Sequence, residues 1–289
     1  MLGAAWIAGV ALLPAIDGSR NGRLVALASR SDERAREILA PYPRAQAVDS
    51  YEAVLELSEV DAVYVPLVNS LHREWTVRAL ARGKHVLCEK PLAMNAVEAE
   101  EMAEAAARSD RVLMEAFMYR FDPRVSDFVA GISEPLHVQA SFGFTLNGAG
   151  NYRFDAAVGG GALLDVGCYG VSVSRWMLGE PVDVLARARF EHGVDMTTSA
   201  LLGFDGGRTA SVFASFESAE NQEVTVMGRG GVQRLERPFN RLDDPIQPYR
   251  LMVESFADSI LDAHPAEIPL SESIANMRTL DRIRAAFSS

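Results

Sequence analysis

Cysteine is scarce in this chain: two residues in 289, Cys88 and Cys168. They lie far apart and show no metal-type spacing. A disulfide scaffold is excluded, and the two thiols read as reduced groups of a cytoplasmic protein. The five histidines show no His-x-x-x-His pattern, so no metal is predicted. Basic residues number 28 against 39 acidic ones, a formal charge of -11. Both signs are interspersed and no basic stripe exists, which argues against a nucleic-acid partner. Low-complexity tracts and internal repeats are missing as well. Met1 to Ile16 carries no charge. It lacks a basic leader, Pro14 interrupts it, and it falls short of the roughly 20 apolar residues that a membrane span needs. It reads as neither a signal peptide nor an anchor.

What is present is a large chain able to bury a core, with two domains the expected division. In residues 1–120, apolar runs of strand length alternate with helical patterns. Strands are expected at Leu24–Ala28, Gln46–Val48, Asp61–Val65, Val86–Cys88 and Arg111–Glu115. Helices are expected at Asp32–Leu39, Tyr51–Leu57, Asn69–Ala81 (capped by Asn69 or Ser70) and Val97–Arg108. This alternation predicts an α/β doubly wound, Rossmann-type parallel sheet.

Three features of this half point to a ligand edge. Gly3-x-Ala5-x-x-Ala8 opens a helix-compatible run, and its small residues would let the backbone approach a pyrophosphate. Only Met1 and Leu2 precede it, where a strand of five or six residues is usual. Either the true start lies upstream, or the first strand is mostly lost and weak stability or weak cofactor binding is expected. The strand at Leu24–Ala28 ends in Ser29-Arg30, where an NAD site usually carries an acid for the ribose 2′-hydroxyl. A hydroxyl and a guanidinium suit a 2′-phosphate instead, so NADP(H) is predicted over NAD(H). Asp32 close behind keeps NAD(H) as the alternative, and the ordinary reading of Arg30 is a surface charge. The strand Val86–Cys88 ends in Glu89-Lys90-Pro91. A lysine at a strand end of an open sheet, followed by Pro and beside Glu, is a candidate for proton chemistry. A solvated turn is the plain alternative. His72, in the first turn of its helix, reads as a nicotinamide-side contact or as a solvated surface residue.

From Pro135 the pattern changes. Leu136–Phe144, Val184–His192, Met196–Phe204, Thr209–Phe216 and Glu223–Met227 alternate as half-buried strands. They predict an open antiparallel sheet with one face on helices and the other covered in a dimer. Between the first two lies Gly159-Gly160-Gly161 and a helical run to Leu178. Asp165 and Tyr169 share one face of it, a candidate catalytic pair or an ordinary acid and core phenol. Tyr249–Leu261 and Ser271–Phe287 read as packing helices, with Ser271 as an N-cap.

Taken together, Gly3 to Ala8, Glu89-Lys90-Pro91, and Gly160 to Tyr169 occur in an order and at separations that resemble the glucose-fructose oxidoreductase/inositol dehydrogenase/MocA family. Glu115 to Phe121 and the Gly-Cys-Tyr ending at Tyr169 narrow the likeness to the branch of NADP-dependent D-xylose 1-dehydrogenases and trans-1,2-dihydrobenzene-1,2-diol dehydrogenases. Many members carry His where this chain has Tyr169. The resemblance implies a nucleotide-binding domain over 1–120 and a substrate domain over 121–289. The last helices there are able to pack back on the first domain, and the second fold is α+β on an open, mostly antiparallel sheet. It implies Lys90, Tyr169 and Asp165 as catalytic residues and Arg153 and Tyr119 at the substrate. It implies Gly3, Ala5, Trp6, Ile7, Ser29, Arg30, Pro66, Asn69, His72, Glu89, Lys90 and Pro91 at the cofactor. The function implied is NADP(H)-dependent oxidation or reduction of a sugar, polyol or vicinal diol by a homodimer or homotetramer. A ketoreductase acting on nucleotide-linked sugars and a non-catalytic dinucleotide-binding regulator are the alternatives.

Overall fold

The computed structural model describes residues 1–148, 150–240 and 243–287. Contacts divide them into two units. The first comprises Met1–Ala93, Val97–Phe121 and Asp243–Ser273; the second comprises Met94–Ala96, Asp122–Leu242 and Ile274–Ser289.

In the first unit, β1 (Ala26–Ala28), β2 (Gln46–Val48), β3 (Ala62–Val65), β4 (His85–Cys88) and β5 (Leu113–Glu115) alternate with α2 (Asp32–Leu39), α3 (Tyr51–Glu56), α4 (Asn69–Ala81) and α5 (Ala96–Ser109). All strand pairings are parallel, β1 with β2 and β3-β4-β5 in order. The β4 residues Val86, Leu87 and Cys88 are buried, as a strand covered on both faces requires. Ser31 and Ser50 cap α2 and α3 through their side chains. For α4 the expected cap is corrected: Val68 occupies that position and no side chain caps the helix.

The gap between the two parallel sheets is filled by the first three residues. Leu2 N–H donates to Tyr64 O (3.0 Å), Gly3 N–H to Ala28 O (2.8 Å), and Ala28 N–H to Met1 O (3.1 Å). Two or three residues thus stand where a central strand belongs, and they bond on both sides. A wide π-helical turn, Ala8–Leu12, then leads into α1 (Leu13–Asp17). The helix α8 (Gln247–Leu261) packs on α1. Asn21 donates to Glu254 O and to Asp258, and Arg20 pairs with Asp258.

The Met1 ammonium donates to Ala26 O (2.7 Å). Burial pushes it down from 8.0 to about 5. Between those values the unfolded chain binds more protons than the fold. Stability must therefore rise with pH across that window and be lost as pH falls toward 5. The shift corresponds to at most about 4 kcal/mol. Melts at pH 5.5 and 8 measure it. Four strand-forming residues placed before Met1 would turn the ammonium into an amide, and this part of the pH dependence should vanish.

In the second unit, α6 (Pro123–Ala130), unexpected from the sequence, opens with Pro after the capping Asp122. A six-stranded sheet follows: β6 (Pro135–Gly143), β7 (Pro181–Glu191), β8 (Val194–Phe204), β9 (Thr209–Ser215), β10 (Asn221–Gly228) and β11 (Gly231–Glu236), in the order β11-β10-β6-β9-β8-β7. The expectation of an antiparallel sheet is corrected at one place: β6 and β9 are parallel. β6 is inserted between the consecutive strands β9 and β10, antiparallel to β10 and so parallel to β9. A π-helical turn, Leu163–Gly167, runs into α7 (Cys168–Leu178). This helix lies on the sheet at Gly170, where a Cβ would come within 2.8 Å of Val212. The stretch Ala156–Leu178 is long and apolar enough to cross a bilayer, yet 72% of it is buried inside the fold. The helix α9 (Leu270–Ala286) buries Met277, Leu280 and Ile283. Ser271 lies inside it, one residue past its start, so the expected N-cap is corrected.

Candidate active site

The strand ends of the first unit gather most of the expected cofactor residues. Gly3 has φ +109°, a conformation that strains any side chain, and a Cβ there would lie 2.9 Å from the tip of the Leu67 side chain. Ala5 and Ile7 are half-buried, while Trp6 is 71% exposed at the helix start. Ser29 is half-buried and Arg30 exposed at the end of β1. Two neighbours of this edge were missed from sequence. Arg34 Nε donates to Ala4 O (3.2 Å). The Tyr51 hydroxyl lies 3.8 Å from the position of a Gly3 Cβ, and Arg30 is close enough to work against the burial that raises the Tyr51 phenol. Asp32, the acid that kept NAD(H) open, pairs with Arg36 at 4.0 Å on the surface.

A dinucleotide fits these residues. Gly3 is buried, and the half-buried Ala4 and Ala5 after it are the small residues at which a pyrophosphate would approach the backbone. The β1 edge presents a hydroxyl and two guanidinium groups where a ribose diol would call for an acid.

Glu89-Lys90-Pro91 follows β4 and is tied down from several sides. Tyr64 Oη, on β3, donates to Glu89 Oε1. Burial and the Glu89 charge push the Tyr64 phenol well above its ordinary value. Lys90 N–H donates to Glu89 Oε2 (3.2 Å), and Leu92 N–H to Oε1 of the fully buried Glu115 (2.8 Å). The Lys90–Pro91 peptide is cis. Lys84 and Lys90 are the chain's only lysines. Lys84 Nζ is spent on the carbonyls of Leu57 and Val60. Lys90, the other lysine, stands on the loop that follows β4. Pro66 and Asn69, at the end of β3 and the start of α4, are buried.

Two expectations are corrected. His72 is neither solvated nor presented to a cofactor. It is fully buried, with Nδ1 3.0 Å from Pro91 O and Nε2 2.9 Å from Leu67 O, and burial lowers its pKa. Tyr119 has no exposed surface; its ring stands edge-on to Phe117 at 5.7 Å. A side chain so enclosed packs rather than meets a substrate.

In the second unit, the glycine turn and the π-helical turn bring Asp165, Tyr169 and Arg153 together. Arg153 Nε donates to Asp165 Oδ2 at 2.7 Å, and its guanidinium lies over the Tyr152 ring. Burial works against the Arg153 charge, but Asp165 and the nearby Tyr169 offset it, and the guanidinium is held above its ordinary value. Tyr169 is 6% exposed, its ring packed on Phe239 (5.2 Å) and Phe142 (5.7 Å). The start of this helical run is pinned by Asp195, a residue with no sequence motif. Its carboxylate accepts from Leu163 N–H (2.7 Å) and Thr198 Oγ1 (2.8 Å). It is the second residue of β8, just after Gly193, and no spacing in the sequence marks it. Burial raises the Asp195 carboxyl, against the pull of those two bonds.

The arrangement defines a class: a dinucleotide edge carrying a lysine on a Rossmann unit, and an acid–phenol helix on a mixed-sheet unit. Residues 1–117 match the oxidoreductase family with an NAD-binding Rossmann fold, and residues 131–234 match the Gfo/Idh/MocA C-terminal domain. The chain is 36% identical to D-xylose 1-dehydrogenase (NADP(+)) 2 of Haloferax volcanii, over 98% of this chain and 95% of that protein. It is 32% identical to trans-1,2-dihydrobenzene-1,2-diol dehydrogenase of Xenopus tropicalis, over 78% of this chain and 70% of that protein. Its fold is similar to a 3-ketoreductase from Actinomadura kijaniata in complex with NADP and TDP-benzene, with a TM-score of 0.91 and 30% identity, covering 99% of this chain and 96% of that one. The chain belongs to the Gfo/Idh/MocA oxidoreductase family. It is an oxidoreductase built on a nicotinamide-dinucleotide-binding domain.

Proposed function

We propose that this enzyme transfers hydride between NADP(H) and a carbon-bound oxygen of an aldose, polyol or vicinal diol. The observation that carries the reading is the retention of both reactive side chains, Lys90 on its braced loop and Tyr169 on its helix, where a binding protein has need of neither. When bound, the nicotinamide supplies or accepts the hydride. Tyr169 takes the substrate hydroxyl proton in oxidation and returns it in reduction. Lys90 holds the same oxygen and stabilises its negative charge as the C–H bond breaks. Asp165, fixed by Arg153, orients neighbouring hydroxyls.

A ketoreductase on nucleotide-linked sugars is the second reading, favoured by the likeness to the 3-ketoreductase. The commitment of Arg153 Nε to Asp165 speaks against that guanidinium serving as a diphosphate anchor. A spectrophotometric screen of aldoses, polyols and diols against one sugar-nucleotide panel, with NADP and NAD, separates the two. Turnover of free sugars or diols supports the first reading, and turnover confined to sugar nucleotides overturns it. In the same assay Arg30→Asp should weaken NADP affinity at least about tenfold and narrow the preference over NAD, since a charge-assisted phosphate contact becomes a repulsion. Unchanged NADP affinity would remove Arg30 from the cofactor site.

The open face of the second unit's sheet presents Leu185 (61% exposed) and Leu201 (43%), which are register partners, together with Phe213. We assign its cover to a second copy of this chain, as a homodimer or as a tetramer built from it. Leu185→Glu together with Leu201→Glu should give a monomer by light scattering, and an unchanged mass contradicts the assignment. Cys88 and Cys168, both buried and neither in a disulfide, suit a cytoplasmic setting.

A further inference from the structure

We infer that His72 is a positioning residue, a buried strap that ties the loop after β3 to the Lys90 loop after β4 and so fixes where the Lys90 ammonium is delivered. The inference rests on the reading of Lys90 given above. His72 sits in the first turn of α4, and its imidazole has no exposed surface. One ring nitrogen lies 3.0 Å from Pro91 O and the other 2.9 Å from Leu67 O. Both partners are carbonyls and can only accept. A neutral ring has one N–H, so it hydrogen-bonds one carbonyl and lies against the other. Burial together with the nearby Lys90 charge keeps the ring from carrying two. In either tautomer the ring fills the space between the two strand-end loops.

The strap lies against the carbonyl of a residue set between two bound amides. Lys90 N–H and Leu92 N–H are each bound by a carboxylate, and Pro91, between them, has no N–H to give. Its carbonyl lies 3.0 Å from His72 Nδ1. Removing the imidazole frees Pro91 O and opens a cavity behind Lys90, while β4 keeps its own ladder to β3 and β5. The effect is therefore local to the loop. A misplaced catalytic group costs turnover far more than it costs cofactor affinity.

Hydrogen exchange read by peptide mass spectrometry tests this without reference to any substrate. In His72→Leu, peptides covering 89–93 should exchange at least about tenfold faster, with peptides covering β3 and β4 within about twofold of the unaltered protein. His72→Gln keeps an N–H donor and should restore protection to within about threefold. With a turned-over sugar or diol, kcat of His72→Leu should fall at least about tenfold with KM for NADPH within about threefold, and His72→Gln should recover most of it. Unchanged exchange at 89–93, or loosening spread equally over the unit, overturns the strap. Should the leucine variant fail to fold, His72→Asn, too short to span both loops, takes its place. Faster exchange at 89–93 with β3 and β4 little changed supports the strap, and unchanged exchange there overturns it. If no sugar or diol is turned over, the proposed function fails while the exchange result still stands or falls alone.

Discussion

Lys90→Met is expected to lower kcat by about 10²–10³-fold, or about 2.7–4 kcal/mol of transition-state stabilisation, while Kd for NADPH stays within about threefold. Methionine is close to lysine in length and keeps the apolar stem, so the loop held by Glu89, Glu115 and His72 has no reason to move. What is lost is the Lys90 ammonium. The other lysine, Lys84, is occupied with Leu57 and Val60. Steady-state kinetics with NADPH titrated by fluorescence gives both numbers. A variant with near-normal kcat would remove the lysine from the chemistry. One that lost only cofactor affinity would make it a binding group.

Gly161→Ala should cost about 3–5 kcal/mol of stability and lower the melting temperature by about 10 °C. Gly161 has φ +112°, a conformation that strains any side chain by about 1–3 kcal/mol. The new Cβ would also fall 2.2 Å from Asp195 Oδ1. The carboxylate must then leave Leu163 N–H and Thr198 Oγ1, hydrogen bonds to a charged group worth about 1.5–3 kcal/mol each, only part of which is lost if the strand adjusts. Since this turn starts the run that carries Asp165 and Tyr169, turnover should fall beyond what the lost folded fraction explains. Denaturant unfolding and activity at a temperature where the variant is folded measure the two effects. A melting temperature within about 2 °C of the parent would show that the turn relaxes without loss.

Much of the fold was legible because buried parallel strands and their helices write strong local patterns. α2 and β2 fall on the expected residues, and β3, β4 and α5 within one or two of them. The elements that escaped lack such a pattern. β11 runs along the sheet edge, and its Gln233 and Arg234 carry no alternation of buried and exposed residues. The parallel pairing of β6 with β9 joins strands about seventy residues apart, which no local period records. Met1 to Gly3 is too short for a strand pattern, yet its hydrogen bonds to Ala28 and Tyr64 do a strand's work.

For the site, Glu89-Lys90-Pro91 and Asp165 with Tyr169 stood out by spacing and by likeness to a family. The groups that brace them did not. His72, Tyr64, Glu115 and Asp195 act on backbone or side-chain atoms of another segment, and only the fold decides which segment that is. His72 shows the difference most plainly. A histidine in a helix's first turn looks solvent-facing from sequence, and tertiary packing of the Pro91 loop reverses that.

We propose that Lys90 and Tyr169 act on one substrate oxygen. Single-turnover hydride transfer by Lys90→Met, Tyr169→Phe and the double variant tests it most directly. Groups that serve the same oxygen are strongly non-additive, so the double variant should be no more than about tenfold slower than the slower single one. A double variant whose loss equals the product of the two single losses would mean that the lysine and the phenol act independently, and the claim would fall.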